Sequence, residues 1–223
     1  MLGRVGAGPA RMSYSVKEIF YSLQGEGART GRPAVFCRFA GCNLWSGRAP
    51  DRAKATCTFC DTDFLGTDGE GGGTYRDADQ LADQIHTTWT GEPGPGIRPY
   101  CICTGGEPLL QLDIPLIEAL HTRGFEIAIE TNGTCPAPPG IDWICVSPKS
   151  AELQLRSGNE LKLIYPQEDT PPERFAGLHF HHFFLQPLDG PDLAANTARA
   201  VAYCLAHPRW RLSLQTHKLL GIQ

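Results

Sequence analysis

The feature that most constrains the fold is a recurring order of short apolar runs and helical stretches. Runs at Ala34 to Phe39, Tyr100 to Cys103, Glu126 to Ile129, Trp143 to Val146, Glu160 to Ile164 and Phe183 to Leu185 each end in polar or glycine residues, with Arg211 to Leu214 as a late candidate. These read as strands. Helical spacing falls between several of them, at Asp77 to Thr88, Ile114 to Arg123 and Asp192 to Ala206, with Asp77 and Asp192 as caps and Gly124 past the second. The order is β-α-β, which implies an α/β chain with a parallel sheet covered by helices. At 223 residues the chain is short for a closed eightfold barrel of about 250, so a partial (βα)6-type barrel with reduced helices is expected. Ligands collect at the C-terminal ends of such strands. The unusual residues fall there: Arg38, Thr104-Gly105-Gly106-Glu107, Glu130-Thr131-Asn132, Ser147-Pro148-Lys149 and Gln186-Pro187.

Residues 13–223 read as one domain, because the glycine- and proline-rich loops at 66–73, 91–96 and 136–140 are too short to be linkers. Residues 1–12 read as a disordered N-terminal extension. A net charge of -4 gives no basic footprint for nucleic acid and favours a small-molecule partner. No run approaches the roughly 18 apolar residues of a membrane span, and Met1 to Arg11 lacks the apolar core of a secretory signal, so a cytoplasmic protein is expected.

Nine cysteines, an odd count without an export signal, argue against a disulfide framework and leave metal binding or burial. Cys42, Cys57 and Cys60 form C-x14-C-x2-C after the first barrel-type strand, followed by Asp61-Thr62-Asp63. Three thiolates would leave one iron of a [4Fe-4S] cluster open to another ligand. The same three fit a zinc knuckle, which needs a fourth ligand that Cys37 offers only from within a strand. Cys37, Cys101, Cys103, Cys135, Cys145 and Cys204 read as small buried residues.

With Phe20-Tyr21-Ser22-Leu23-Gln24-Gly25-Glu26-Gly27, Phe36-Cys37-Arg38-Phe39-Ala40-Gly41-Cys42-Asn43-Leu44-Trp45 and Leu214-Gln215-Thr216-His217-Lys218 added, the chain resembles the 7-carboxy-7-deazaguanine synthase family of radical S-adenosylmethionine (SAM) enzymes from Ser13 to Gln223. It departs from the usual C-x3-C-x2-C spacing of radical SAM enzymes. Widening the first gap costs only about 1.4 kcal/mol of loop-closure entropy, small beside iron-thiolate bonds.

The resemblance implies a radical SAM barrel and conversion of 6-carboxy-5,6,7,8-tetrahydropterin to 7-carboxy-7-deazaguanine with loss of ammonia, in queuosine or 7-deazapurine biosynthesis. It implies a [4Fe-4S] cluster on Cys42, Cys57 and Cys60, SAM used reversibly, and Mg2+ on Thr62. SAM contacts implied are Phe59, Asp61, Gly105, Gly106, Glu107, Glu130, Asn132, Ser147, Pro148, Lys149, Gln186 and Asp189. Substrate contacts implied are Leu23, Gln24, Gly25, Glu26, Arg38, Thr104, His217 and Gln223. Gln24 and Glu26 suit the pterin's amide and amino edge, Arg38 offers a fork to the substrate carboxylate, and the carboxylate of Gln223 would accept from the amino group. An electron donor such as flavodoxin and a homodimer are the expected partners; uncovered sheet edges invite the latter. Two alternatives stand beside this reading. The Ser-Leu-Gln-Gly-Glu-Gly phrase is shared with glycyl-radical-enzyme activases, and a zinc-stabilised binding module is the non-enzyme reading.

Overall fold

The computed structural model describes residues 13–92, 94 and 96–223, and the extension expected over 1–12 lies outside them. Thirteen elements follow in chain order: β1 Tyr14–Leu23, β2 Pro33–Phe39, β3 Gly73–Tyr75, α1 Ala78–Thr88, β4 Tyr100–Gly105, α2 Ile114–Thr122, β5 Glu126–Thr131, β6 Trp143–Val146, β7 Ser157–Tyr165, β8 His179–Pro187, α3 Leu193–Ala206, β9 Trp210–Leu212 and α4 Thr216–Leu220. The strands form one sheet in the order β3-β1-β2-β4-β5-β6-β7-β8-β9. From β2 to β9 every pairing is parallel. The expected parallel sheet is therefore present, and the late candidate supplies a seventh parallel strand, beginning one residue earlier than its apolar run.

Two strands are additions to the sequence reading. β1 pairs antiparallel with β2 and with β3. A register shift between Val16 and Glu18 breaks the period-two pattern by which strands are recognised in sequence. β3 spans three residues, too few to show a period, and begins at Gly73 inside a stretch read as loop.

Helices are sparse for the reason that their capped, amphipathic sequences are sparse. α1 starts where Asp77 accepts from the Gln80 N–H at 2.8 Å and buries Leu81, Ala82 and Ile85. α2 starts where Asp113 accepts from the Leu116 N–H at 3.1 Å and buries Leu116, Ile117, Ala119 and Leu120. Asp192 holds the cap position of α3, but its side chain accepts no capping bond, contrary to expectation. No α-helix joins β5 to β6, β6 to β7 or β7 to β8. Leu81, Ile85, Leu116 and Leu120 pack on the outward side chains of β2, β4 and β5, and a second cluster under α3 includes Leu161, Leu163, Phe183 and Leu185.

His179, His181 and His182 lie on β8, and the His182 ring stacks on Trp143 at 5.9 Å. Cys37, Cys101, Cys103 and Cys145 are buried as expected, whereas Cys135 and Cys204 are only partly so, because their segments edge the core.

Candidate active site

Strand periodicity aims one set of side chains away from the helices. Val35, Cys37, Phe39, Cys101, Cys103, Ile127, Ile129, Leu161, Leu163 and Leu185 face the helix-covered cores. Their neighbours Arg38, Thr104, Glu130, Lys162 and Gln186 therefore face the opposite side. There, near the C-terminal ends of the parallel strands, they line a cavity of about 610 Å³. Of the residues expected at the site, all line this cavity except Glu107 and Pro148.

One wall carries the three thiols. The long gap between Cys42 and Cys57 is folded: a 3-10 turn spans Ala49–Lys54, and Arg52 donates to the carbonyls of Thr58 at 2.9 Å and Cys60 at 3.0 Å. The Arg52 guanidinium also stacks 4.0 Å from the ring centre of Trp45, which meets Phe64 edge-on. A hydrogen bond from the Cys57 thiol holds Cys60 down to about 6, against burial, and pushes Cys57 up. Among the described residues no group of three or more His, Cys, Asp or Glu side chains is placed to hold a metal ion. The loop brings three thiols to the cavity, the number that leaves one iron of a four-iron cluster open to another ligand. Lys149 faces the same wall, its Nζ 2.5 Å from Ser147 Oγ and 5.9 Å from the ring centre of Phe59. Burial lowers its pKa, with Cys57 opposing.

Gly105 and Gly106 are glycines because backbone crosses over them. A Cβ on Gly106 would overlap the carbonyl oxygen of Gly41, and one on Gly105 would sit 2.7 Å from that of Phe39. The Glu107 N–H donates to the same Gly41 oxygen at 2.9 Å. The Glu107 carboxylate is fully buried behind the wall and accepts from Thr131 Oγ1 at 2.7 Å, the Asn132 N–H at 2.8 Å and the Leu109 N–H at 3.0 Å. Burial raises its pKa against these donors. Asn132 lines the cavity while its side-chain amide donates to Asn43 at 3.0 Å.

A second wall is charged. Lys162, its side chain 4% exposed, lies 2.6 Å from Glu26 and 2.9 Å from Glu130. Gln24 donates to Glu130 at 3.1 Å and accepts from the Glu26 N–H at 3.1 Å. Burial opposes ionisation of Glu26, yet Lys162 outweighs it and holds the carboxyl down to about 2. Arg38 pairs with Glu18 at 2.7 Å. Glu130, expected among SAM contacts, is bonded within this group, whose other cavity-facing members Gln24 and Glu26 were expected at the substrate.

The last segment lines the cavity through Gln215, His217, Lys218 and Gln223. The Thr216 N–H donates to the Gly25 carbonyl at 2.9 Å, and Gln215 donates to Glu26 at 3.0 Å. A Cβ on Gly25 would overlap the His217 ring, so the glycine seats that imidazole. Burial lowers the pKa of His217. Lys218 bridges Asp61 at 2.8 Å and Asp189 at 2.5 Å. Ser22 donates to the main-chain oxygen of Gln223 at 2.6 Å, and the Gln223 amide donates to Glu18 at 3.2 Å. Thr62 lines the cavity beside Cys60.

Sequence reasoning did not single out Lys162, Glu160, Glu18 or Lys218. The signal for the first two was parity: a Glu and a Lys two apart in the otherwise apolar run Glu160 to Ile164 share one face. Glu160 accepts from the Ala28 N–H at 3.0 Å and fills the space beside Gly27, which at φ 69° turns the chain with no side chain to displace it.

No family model matches the chain. The 7-carboxy-7-deazaguanine synthase of Caulobacter vibrioides is 65% identical over 212 residues, 95% of this chain and 100% of that relative. The protein of the same name from Bordetella pertussis is equally similar, with the same coverage. A crystal structure of QueE from Escherichia coli matches with a TM-score of 0.66 at 28% identity, covering 92% of this chain and 95% of that one.

Proposed function

The chain belongs to the 7-carboxy-7-deazaguanine synthase family, and on that premise we propose that it is the radical SAM lyase converting 6-carboxy-5,6,7,8-tetrahydropterin to 7-carboxy-7-deazaguanine with release of ammonia. The observation that carries the proposal is one cavity with three thiols on one wall and the Gln24, Glu26 and Arg38 group on the other. Cys42, Cys57 and Cys60 would hold the [4Fe-4S] cluster, and Lys149 and Ser147 would meet SAM beside it. When bound, cluster and SAM supply a 5'-deoxyadenosyl radical as hydrogen abstractor.

The chain's own part is positioning and exclusion of water. Glu26 offers an ionised acceptor to the amide and amino edge of the pterin, Arg38 offers guanidinium N–H groups to its carboxylate, and Thr104 lies in register with Arg38 on the next strand. His217 lines the cavity beside Gly25. Thr62 would contribute a hydroxyl to Mg2+, a hard ion that accepts oxygen ligands and waters. Residues 13–223 act as one radical SAM core, served in the cytoplasm by a donor such as flavodoxin, as a homodimer. No helix among the described residues is long and apolar enough to cross a membrane.

The test is anaerobic reconstitution with iron and sulfide, then incubation with dithionite, SAM, Mg2+ and the tetrahydropterin beside a Cys57→Ala control. Wild type should yield product of the mass of 7-carboxy-7-deazaguanine and the variant none. A brown protein that cleaves SAM and leaves the pterin untouched would move the assignment to an activase.

A further inference from the structure

We infer that Lys162 is a positioning residue for substrate recognition, its buried ammonium fixing Glu26 and Glu130 as a pair of anionic acceptors against the donor edge of the pterin. The inference rests on the functional reading above and assigns a role to a residue which that reading does not use.

The two carboxylates reach the cavity from different parts of the chain, Glu26 from the turn after β1 and Glu130 from the end of β5. Lys162, on the inner face of β7, joins them at 2.6 and 2.9 Å. Gln24 closes the ring, donating to Glu130 and accepting from the backbone of Glu26. A pterin's pyrimidinone edge presents N–H and NH2 donors, which a carboxylate matches only when ionised. The Glu26 side chain is largely buried, 17% exposed, and without a cation burial would favour the protonated, donor-bearing form. A buried ion pair adds little stability over packed apolar side chains, so its use here is the charge and position it gives the acceptors.

Every charged or titratable neighbour bears on this balance. Glu26 faces Lys162, Gln215 and Gln186, with the fields of Lys149 and His217 beside them. Lys162 faces Cys145, Glu130, Glu26 and Glu160; burial opposes its charge, and these groups together raise its pKa well above the usual value. Removing the ammonium leaves burial of Glu26 opposed by the Gln215 and Gln186 hydrogen bonds and by the weaker field of Lys149. Its pKa then rises, and protonation on acidification removes the acceptor.

The measurement is anaerobic calorimetry of 6-carboxy-5,6,7,8-tetrahydropterin binding to reconstituted, unreduced protein with SAM, at about pH 8 and about pH 5.5. Wild type should bind with nearly the same Kd at both. Lys162→Met should bind more weakly, by at least about tenfold at the lower pH, with the gap narrowing at the higher. Lys162→Arg, which keeps the cation, should restore the flat profile. If the methionine variant does not fold, Glu130→Gln combined with Lys162→Met removes one buried charge of each sign and leaves Glu26 equally uncompensated, so the same acid-weakened binding is expected. Wild-type binding together with an unchanged, pH-independent Kd in the variant overturns the inference alone. Absence of binding by wild type overturns the functional reading and this inference with it.

Discussion

The two walls of the cavity are held by different means. The thiol wall, from Cys42 to Phe64, contains no strand. It is placed by backbone: the Gly41 carbonyl seated on Gly106 and bonded to the Glu107 N–H, and the Thr58 and Cys60 carbonyls bound by Arg52. The charged wall stands largely on strand ends and their adjoining turn, and its side chains hold one another, Glu26 to Lys162 to Glu130 to Gln24. On the proposed function, the wall that would receive a bulky inorganic group is fixed from behind, which leaves its thiols for the ligand. The wall that would read a small heterocycle needs its acceptors ionised and aimed beforehand, and paired charges do that.

The comparison breaks most readily at Gly106. Gly106→Ala drives a methyl into the Gly41 carbonyl, so the backbone must shift, at a cost on the order of 1–3 kcal/mol. Iron retained after reconstitution should fall several-fold, while pterin binding, set on the other wall, changes little. Iron assay and calorimetry on the same preparation check this. Equal loss of both would show that the walls are one mechanical unit.

Glu107→Gln tests the same wall more gently. The carboxylate accepts three hydrogen bonds on its two oxygens, and an amide presents donor hydrogens to one set of those donors. The expected cost is about 1–3 kcal/mol, read as a lowered midpoint in denaturant, since a buried donor is left without an acceptor. An unchanged midpoint would mean that the loop after β5 does not depend on Glu107.

How much of this was legible in sequence depended on whether a residue's chemistry or its geometry carried the signal. Cys42, Cys57, Cys60, Arg38 and Thr104 stand out by type and by their place after apolar runs, and all line the cavity. β1 was hidden because its bulge interrupts the alternation. Lys162 was hidden because one cation in an apolar strand looks like strand; only parity with Glu160, and the register that brings β7 beside β6 and β5, reveals it. Glu107 is the converse. Its motif marks it as a contact, yet polarity alone does not tell which side of a wall a carboxylate faces, and here it faces inward to three donors.

The smallest effect is expected where the walls are joined. Lys218 reaches from α4 to Asp61, next to Cys60, and to Asp189 after β8. All three side chains are more than a third exposed, so each pair contributes about 0.2–1 kcal/mol and is screened by salt. Lys218→Ala should lower the denaturation midpoint slightly at low ionic strength and hardly at all in about 1 M salt. The hydrogen bond from Lys218 holds Asp189 below its ordinary 3.8, helped by the Gly190 N–H. A depressed carboxyl contributes stability above its unfolded pKa and loses it as pH falls through the folded one. The difference between wild type and variant should therefore persist at neutral pH and close below about pH 4. A difference that survives both salt and acid would mean that Lys218 acts through packing of its stem over the cavity mouth, and the two walls would then be joined by apolar contact rather than by charge.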